Sequence, residues 1–236
     1  MNKTTICLTV ATLVVAAQLA TAGDITGVVK LKGTPPAEKV ITPFKENADC
    51  SKLQAETPTT RFYVVGSGGE LGDVVISVEG VSGKSTGSSA APVVLDQKNC
   101  TYVPQIMAVQ TEQKILVKNS DPVLHNVHDQ PGATSGNAEK NEAQMPGSAD
   151  LTLSFPKPEM FLKFKCDVHP WMFAWVSVFD HPYFALSAKD GTFKIANVPA
   201  GKYTIKASHR KAGSVTQQVE VKDGEPAKVT FELEPK

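Results

Sequence analysis

Short runs of alternating apolar and polar residues dominate this chain, and helical periodicity is almost absent. They include DITGVVKL, DVVISVEG, KILVKN, LTLSF, FLKFKC, WVSVF, TFKIANV, KYTIKAS, VTQQVEV and KVTFELE, separated by clusters of Gly, Pro, Asn, Asp and Ser. A two-residue period sends successive side chains to opposite faces, so each run must bury one face against another layer. Repeated this often, with turn residues between, the pattern predicts an all-β sandwich or barrel.

Two stretches break the pattern. Residues 82–92, SGKSTGSSAAP, are too small and polar to pack a core and read as a loop or linker. Residues 129–149 form a second long polar connection, with room for a helical turn around the NAEKNEA run at 137–143.

The first 22 residues combine Lys3, the apolar run ICLTVATLVVAAQLA and the small residues ATA, the pattern of an export signal cleaved before Gly23. The apolar run is short for a membrane span, and no second one approaches that length. With 24 acidic and 24 basic residues and no basic run, nucleic acid is not an expected partner. The expected location is the periplasm or the extracellular medium.

Removing Cys7 with the signal leaves Cys50, Cys100 and Cys166. In an oxidising compartment an odd cysteine needs a reason. The economical pairing is Cys50 with Cys100, leaving Cys166 free; scrambled pairing or an intermolecular bridge are the alternatives.

Cys166 lies in FLKFKCDVHPWMFAW, residues 161–175. Alternation places Leu162, Phe164 and Cys166 on one face and Lys163 and Lys165 on the other. Pro170 cannot continue a ladder, so Cys166 closes a strand and His169 and Met172 follow on the loop. Thiolate, imidazole and thioether are soft or borderline donors that suit copper better than magnesium or calcium. A trigonal His₂Cys site with a weak axial Met needs one more histidine. KNSDPVLHNVHDQ, residues 118–130, offers His125 and His128, which an extended chain points to opposite faces. Asn126, next to His125, is placed to brace the ligand loop by hydrogen bonding. Met107, Met145 and Met160 are axial alternatives to Met172, but none sits on that loop.

These two segments resemble the copper-binding halves of the cupredoxins, the amicyanin and plastocyanin group especially. Asn119 and HNV at 125–127 match the first half, and CDVHPWM at 166–172 matches the short ligand loop. The resemblance, over roughly residues 96–180, implies one type 1 copper ion held by His125, Cys166, His169 and Met172 in a Greek-key sandwich. His128, the long polar connection and the cysteine pair depart from the pattern.

The tail carries Asp190, Gly191 and Phe193, then Val198, Pro199, Gly201 and Tyr203. It resembles the carboxypeptidase-regulatory-like, prealbumin-type sandwich, with its D-G-x-F and V-P-x-G-x-Y elements. The expected organisation is a signal over 1–22, an N-terminal β segment over 23–95, a copper-binding domain over 96–180 and a smaller immunoglobulin- or prealbumin-like sandwich over 181–236. GDITGVVKLKGTPP and LGDVVISVEG look like early strands of that second sandwich.

The expected function is single-electron transfer to and from a transient redox partner, with no catalytic residues. The rival is copper storage or delivery, or a surface-binding scaffold. A Cys–His nucleophile lacks an evident orienting group. Haem attachment would need a second loop cysteine, and structural zinc gains little from a thioether. His128, His181 and His209 read as structural or surface histidines. Trp171 and Trp175 either form an exposed apolar patch beside the ligands or plug the sandwich end.

Overall fold

The computed structural model describes residues 22–54 and 56–236. Apart from Ala22, the expected signal lies outside the described residues, as does Cys7. The N-terminal part contains β1 (Ala22–Leu31), the short helix α1 (Thr42–Glu46), a 3-10 turn (Cys50–Lys52) and β2 (Val75–Val78). A central group follows: β3 (Val93–Lys98), β4 (Thr101–Val103), β5 (Ile106–Gln110), β6 (Ile115–Asn119), β7 (His125–Gln130), β8 (Lys140–Gln144) and β9 (Leu151–Leu153). The last strands are β10 (Glu159–Lys165), β11 (Phe173–Phe179), β12 (Phe184–Leu186), β13 (Thr192–Pro199), β14 (Gly201–His209), β15 (Gly213–Val221) and β16 (Ala227–Leu233). The all-β expectation holds.

The strands build two sandwiches. In the first, a five-stranded sheet ordered β5-β11-β10-β7-β8 faces a four-stranded sheet ordered β4-β3-β6-β9. The chain crosses repeatedly between these sheets, the Greek-key habit. Leu95, Ile115 and Val117 from one sheet meet Val127, Leu162, Phe164 and Val176 from the other in one core. β10 shows how the sequence sets this face: Leu162 and Phe164 are buried, while Lys163 and Lys165 are not.

The second sandwich sets β13-β1-β16 against β12-β2-β14-β15. β1 lies between two late strands, antiparallel to β13 and parallel to β16, while β2 pairs with β12 and β14. Its core joins Ile25 and Val29 to Ile195, Ile205 and Phe231. Gly27 is required by this central position, since a Cβ there would sit 2.0 Å from the Val229 carbonyl oxygen. Residues 23–95 therefore serve both sandwiches: β1 and β2 enter the second, while Phe44, Cys50 and β3 enter the first.

Two local expectations are corrected. Residues 137–143 form no helical turn; they lead into β8, where Asn141 pairs with His128 and Ala143 with Asn126. The open edge of β7 offers backbone partners, and satisfying them outweighs local helix preference. The 82–92 stretch is no slack linker either. The Ser85 hydroxyl donates to the Thr111 carbonyl, the Thr86 N–H donates to Gln110 Oε1, and Gly87 is buried against Thr111.

Val75, Ile106 and Phe179 form a small apolar cluster shared by the two sandwiches. Beside it the Arg210 guanidinium lies 4.7 Å from the Trp175 ring centre and 5.3 Å from that of Phe62. Trp175 is therefore covered by the second sandwich. Among the described residues no helix is long and apolar enough to cross a membrane.

Candidate metal centre

β7 starts at His125 and β10 ends just before Cys166, so one end of the first sandwich receives both residues. The 166–172 loop is closed at its base. The Cys166 N–H donates to the Met172 carbonyl at 3.1 Å, and the Met172 N–H donates to the His169 carbonyl at 2.8 Å. This turn folds His169 back toward the thiol.

His125, Cys166 and His169 each offer a ligand atom, and the three atoms lie within 4.8 Å of one another. The two Nδ1 atoms are 3.0 Å apart, and His169 Nδ1 is 3.8 Å from the Cys166 sulfur. Bonds of about 2.0 Å to nitrogen and about 2.3 Å to sulfur allow separations up to about 4.0 and 4.3 Å around one ion. The observed distances fall inside both limits. All three residues are buried, as is Met172 on the same loop. Cys166 is the free cysteine among the described residues.

The supporting contacts fix which atoms face inward. Asp121 Oδ2 lies 2.9 Å from His125 Nε2 and accepts its proton, so the Nδ1 lone pair is left facing the cluster. The same carboxylate accepts the N–H groups of Asn99 at 2.6 Å and Cys100 at 2.7 Å. Burial alone would raise the acid's pKa, yet the bonds from His125, Cys100 and Asn99 bring it below the usual carboxylate range. Burial opposes charge on His125 too, but Asp121 and Cys166 outweigh it and raise its pKa.

Burial pushes the Cys166 thiol up, and its contacts with His125, His169 and the Asn126 N–H more than reverse this, bringing it to about 6. A thiolate, the metal-binding form, is thus favoured near neutrality. The Asn126 N–H points at the sulfur from 3.4 Å. Its side-chain oxygen accepts the Asp167 N–H at 2.6 Å, which is the loop brace expected from its place beside His125. Asn119 holds the other approach, its amide donating to the Val123 and Gln144 carbonyls.

His128 stands apart from the cluster. Its ring nitrogens meet Asp167 Oδ2 at 2.8 Å and Glu139 Oε1 at 2.5 Å, so it ties β7 to its neighbours. His181, before β12, and His209, the last residue of β14, are buried; the His181 ring accepts the Tyr183 N–H and the His209 ring accepts the Lys211 and Ala212 N–H groups. Met107 is buried in the core and Met145 and Met160 are exposed.

The ligand edge is covered. Trp171 packs 5.2 Å from the His169 ring, meets Phe44 edge-on at 5.8 Å and donates its N–H to the Cys100 carbonyl at 3.0 Å. Cys50 and Cys100 form a disulfide that pins the α1 segment beside the site. His169 is consequently only 5% exposed. Trp171 as a plug was one of the two alternatives the sequence left open; neither Asp121 nor Phe44 was read from it. A carboxylate four residues before a candidate ligand histidine was the available signal for Asp121; Phe44 offered none.

The carboxypeptidase regulatory-like domain family matches residues 170–234, which begin in the 166–172 loop and run through β16. No curated protein matches the sequence. Among solved structures, a Cu-containing nitrite reductase (NirK) from Thermus scotoductus SA-01 is similar over 39% of this chain, at 16% identity and a TM-score of 0.34. This chain spans 23% of that enzyme's length. Two amicyanin mutants, one in the Cu(I) form and one oxidised, are similar over 44% of this chain and 97% of theirs, at 21% identity and TM-scores of 0.33.

Proposed function

We propose that this chain is an exported type 1 copper protein that carries single electrons between redox partners. The observation that carries the reading is the convergence of two imidazole Nδ1 atoms and one thiol in a buried pocket. Copper bound there would supply a one-electron Cu(II)/Cu(I) couple. Cys166 would supply the thiolate donor, His125 and His169 the nitrogen donors, and Met172 a weaker thioether.

The chain's own part is to hold these groups still. Asp121 fixes the His125 tautomer, Asn126 secures the thiolate and the loop, and the turn hydrogen bonds keep His169 in place. Ligands anchored to a packed sandwich change little between oxidation states, which keeps reorganisation small. The Cys50–Cys100 bridge suits the oxidising compartment that an export signal implies. Val168 and Leu124, exposed next to ligating His169 and His125, give a transient redox partner an apolar foothold.

Copper storage or delivery is the second reading. Exposed Met145, which follows Gln144, the partner of His125 across the β7–β8 pair, favours it as an entry point for a soft ion.

One titration separates the two. Cu(II) added to the purified mature protein should produce an intense blue thiolate-to-copper absorption at one equivalent, and Cys166→Ser should abolish it. A colourless one-to-one complex would sink the electron-carrier reading and leave copper handling in its place.

A further inference from the structure

We propose that the Cys50–Cys100 bridge is the closed form of a second, thiol-rich site for a soft monovalent ion such as Cu(I), sharing His169 with the centre described above. Cys50 Sγ, Cys100 Sγ and a ring nitrogen of His169 lie within 4.8 Å of one another. Cys100 Sγ is likewise within 4.8 Å of a ring nitrogen of His125 and a carboxylate oxygen of Asp121. A tether for the α1 segment could sit anywhere along β3 or β4. This one sits against the imidazoles of the candidate centre.

The chemistry of the two states differs sharply. Closed, the bridge leaves Cys166 as the thiol available to the pocket. Opened, it adds two sulfurs within reach of His169, and thiolates are the ligands that Cu(I) favours. The bridge is fully buried, but the residues flanking Cys50, Asp49 and Ser51, are exposed on a short 3-10 turn. Local opening of that turn would admit a reductant. A dithiol would attack one bridge sulfur as thiolate, pass through a mixed disulfide and leave as its own disulfide, delivering two electrons and two protons to Cys50 and Cys100. Cu(I) binding would then displace the thiol protons.

The consequence is a redox-set choice for one protein. With the bridge closed the pocket holds its ion with one thiolate; with the bridge open it retains Cu(I) more tightly. This rests on the copper reading for the identity of the ion, and the experiment separates the two.

The test takes the mature full chain with the bridge closed, or opened by a dithiol that is then removed without air. Cu(I) affinity is read by competition with a chromophoric Cu(I) chelator, and near-UV circular dichroism confirms that the opened form is folded. Opening should tighten Cu(I) binding by about tenfold or more, with the ion protecting Cys50 and Cys100 from alkylation. The gain should persist in Cys166→Ala, where no blue centre can form, and fall at least severalfold when His169→Ala is added. Unfolded thiols would ignore that histidine. Should the opened form lose its fold, Cys50→Ser frees Cys100 without reductant, and its Cu(I) affinity should exceed that of the bridged protein. Unchanged affinity on opening, or a gain indifferent to His169, overturns the proposal. Absence of a blue band in the unmutated, bridged protein with the Cu(I) gain retained would instead overturn the electron-carrier reading alone.

Discussion

The backbone N–H of Asn126 points at the Cys166 sulfur from 3.4 Å, while the Asn126 side chain accepts the N–H of the next residue, Asp167. One residue on β7 thus grips both the thiol and the loop that leaves it. Replacing Asn126 with Ala keeps the first contact, which is backbone, and removes the second. The amides of Asp167 and Val168, which both face Asn126 Oδ1, should then exchange with solvent deuterium at least severalfold faster in the metal-free protein. Undiminished protection at Asp167 would show that the loop is held by other means.

Asp121 is expected to matter for stability as well as for ligand orientation. Its carboxylate accepts from His125, Asn99 and Cys100 in a buried position. Asp121→Ala leaves those donors unpaired and should cost about 2 to 4 kcal/mol in urea unfolding. Metal affinity should fall by roughly 10- to 100-fold as His125 loses its orienting partner. A variant of native stability and affinity would mean that solvent replaces the carboxylate.

The second sandwich should weaken in mild acid through His209. Burial, helped by the Arg210 charge, lowers this histidine to about 4, against about 6.5 in an unfolded chain. Between those values the unfolded chain binds a proton that the folded one refuses, so stability rises with pH. The contribution is complete above about 6.5 and disappears as pH falls toward 4, an effect of a few kcal/mol. Urea midpoints measured from pH 4 to 7 should slope upward, and His209→Asn should flatten the slope. An unaltered slope in the variant would assign the acid sensitivity elsewhere.

Arg210 should couple the two sandwiches. Its guanidinium stacks over Trp175 on β11 and near Phe62 and Phe173. Arg210→Ala should lower stability by about 1 to 2 kcal/mol and shift tryptophan emission to longer wavelength as Trp175 meets water. Arg210→Lys should recover only part of this, because an ammonium cannot stack as a plane does. Identical emission in the wild type and the alanine variant would place the coupling in the apolar cluster around Val75 and Phe179 instead.

Much of the site was legible because its parts are local. The alternation through Leu162, Phe164 and Cys166 aims the thiol inward, and Pro170 ends the strand, so His169 and Met172 had to be loop residues. His125 and His128, three apart on one strand, had to face opposite ways, and they do. The strand at 140–144 was illegible for the converse reason. Its own residues are mostly exposed and carry no apolar period, and it is extended because β7 needs backbone partners.

Alternation, turn residues and cysteine parity by themselves determined an all-β chain with a thiol at a strand end beside a histidine. Those signals act between neighbours along the chain, where side-chain period and backbone geometry decide. Tertiary structure alone decided that Asp121 would orient His125 and that Phe44 and Trp171 would cover His169. It also set the disulfide against the His125 and His169 rings and clasped Trp175 under Arg210. Each of these contacts depends on which strand lies beside which, and that is settled by the joint burial of two cores.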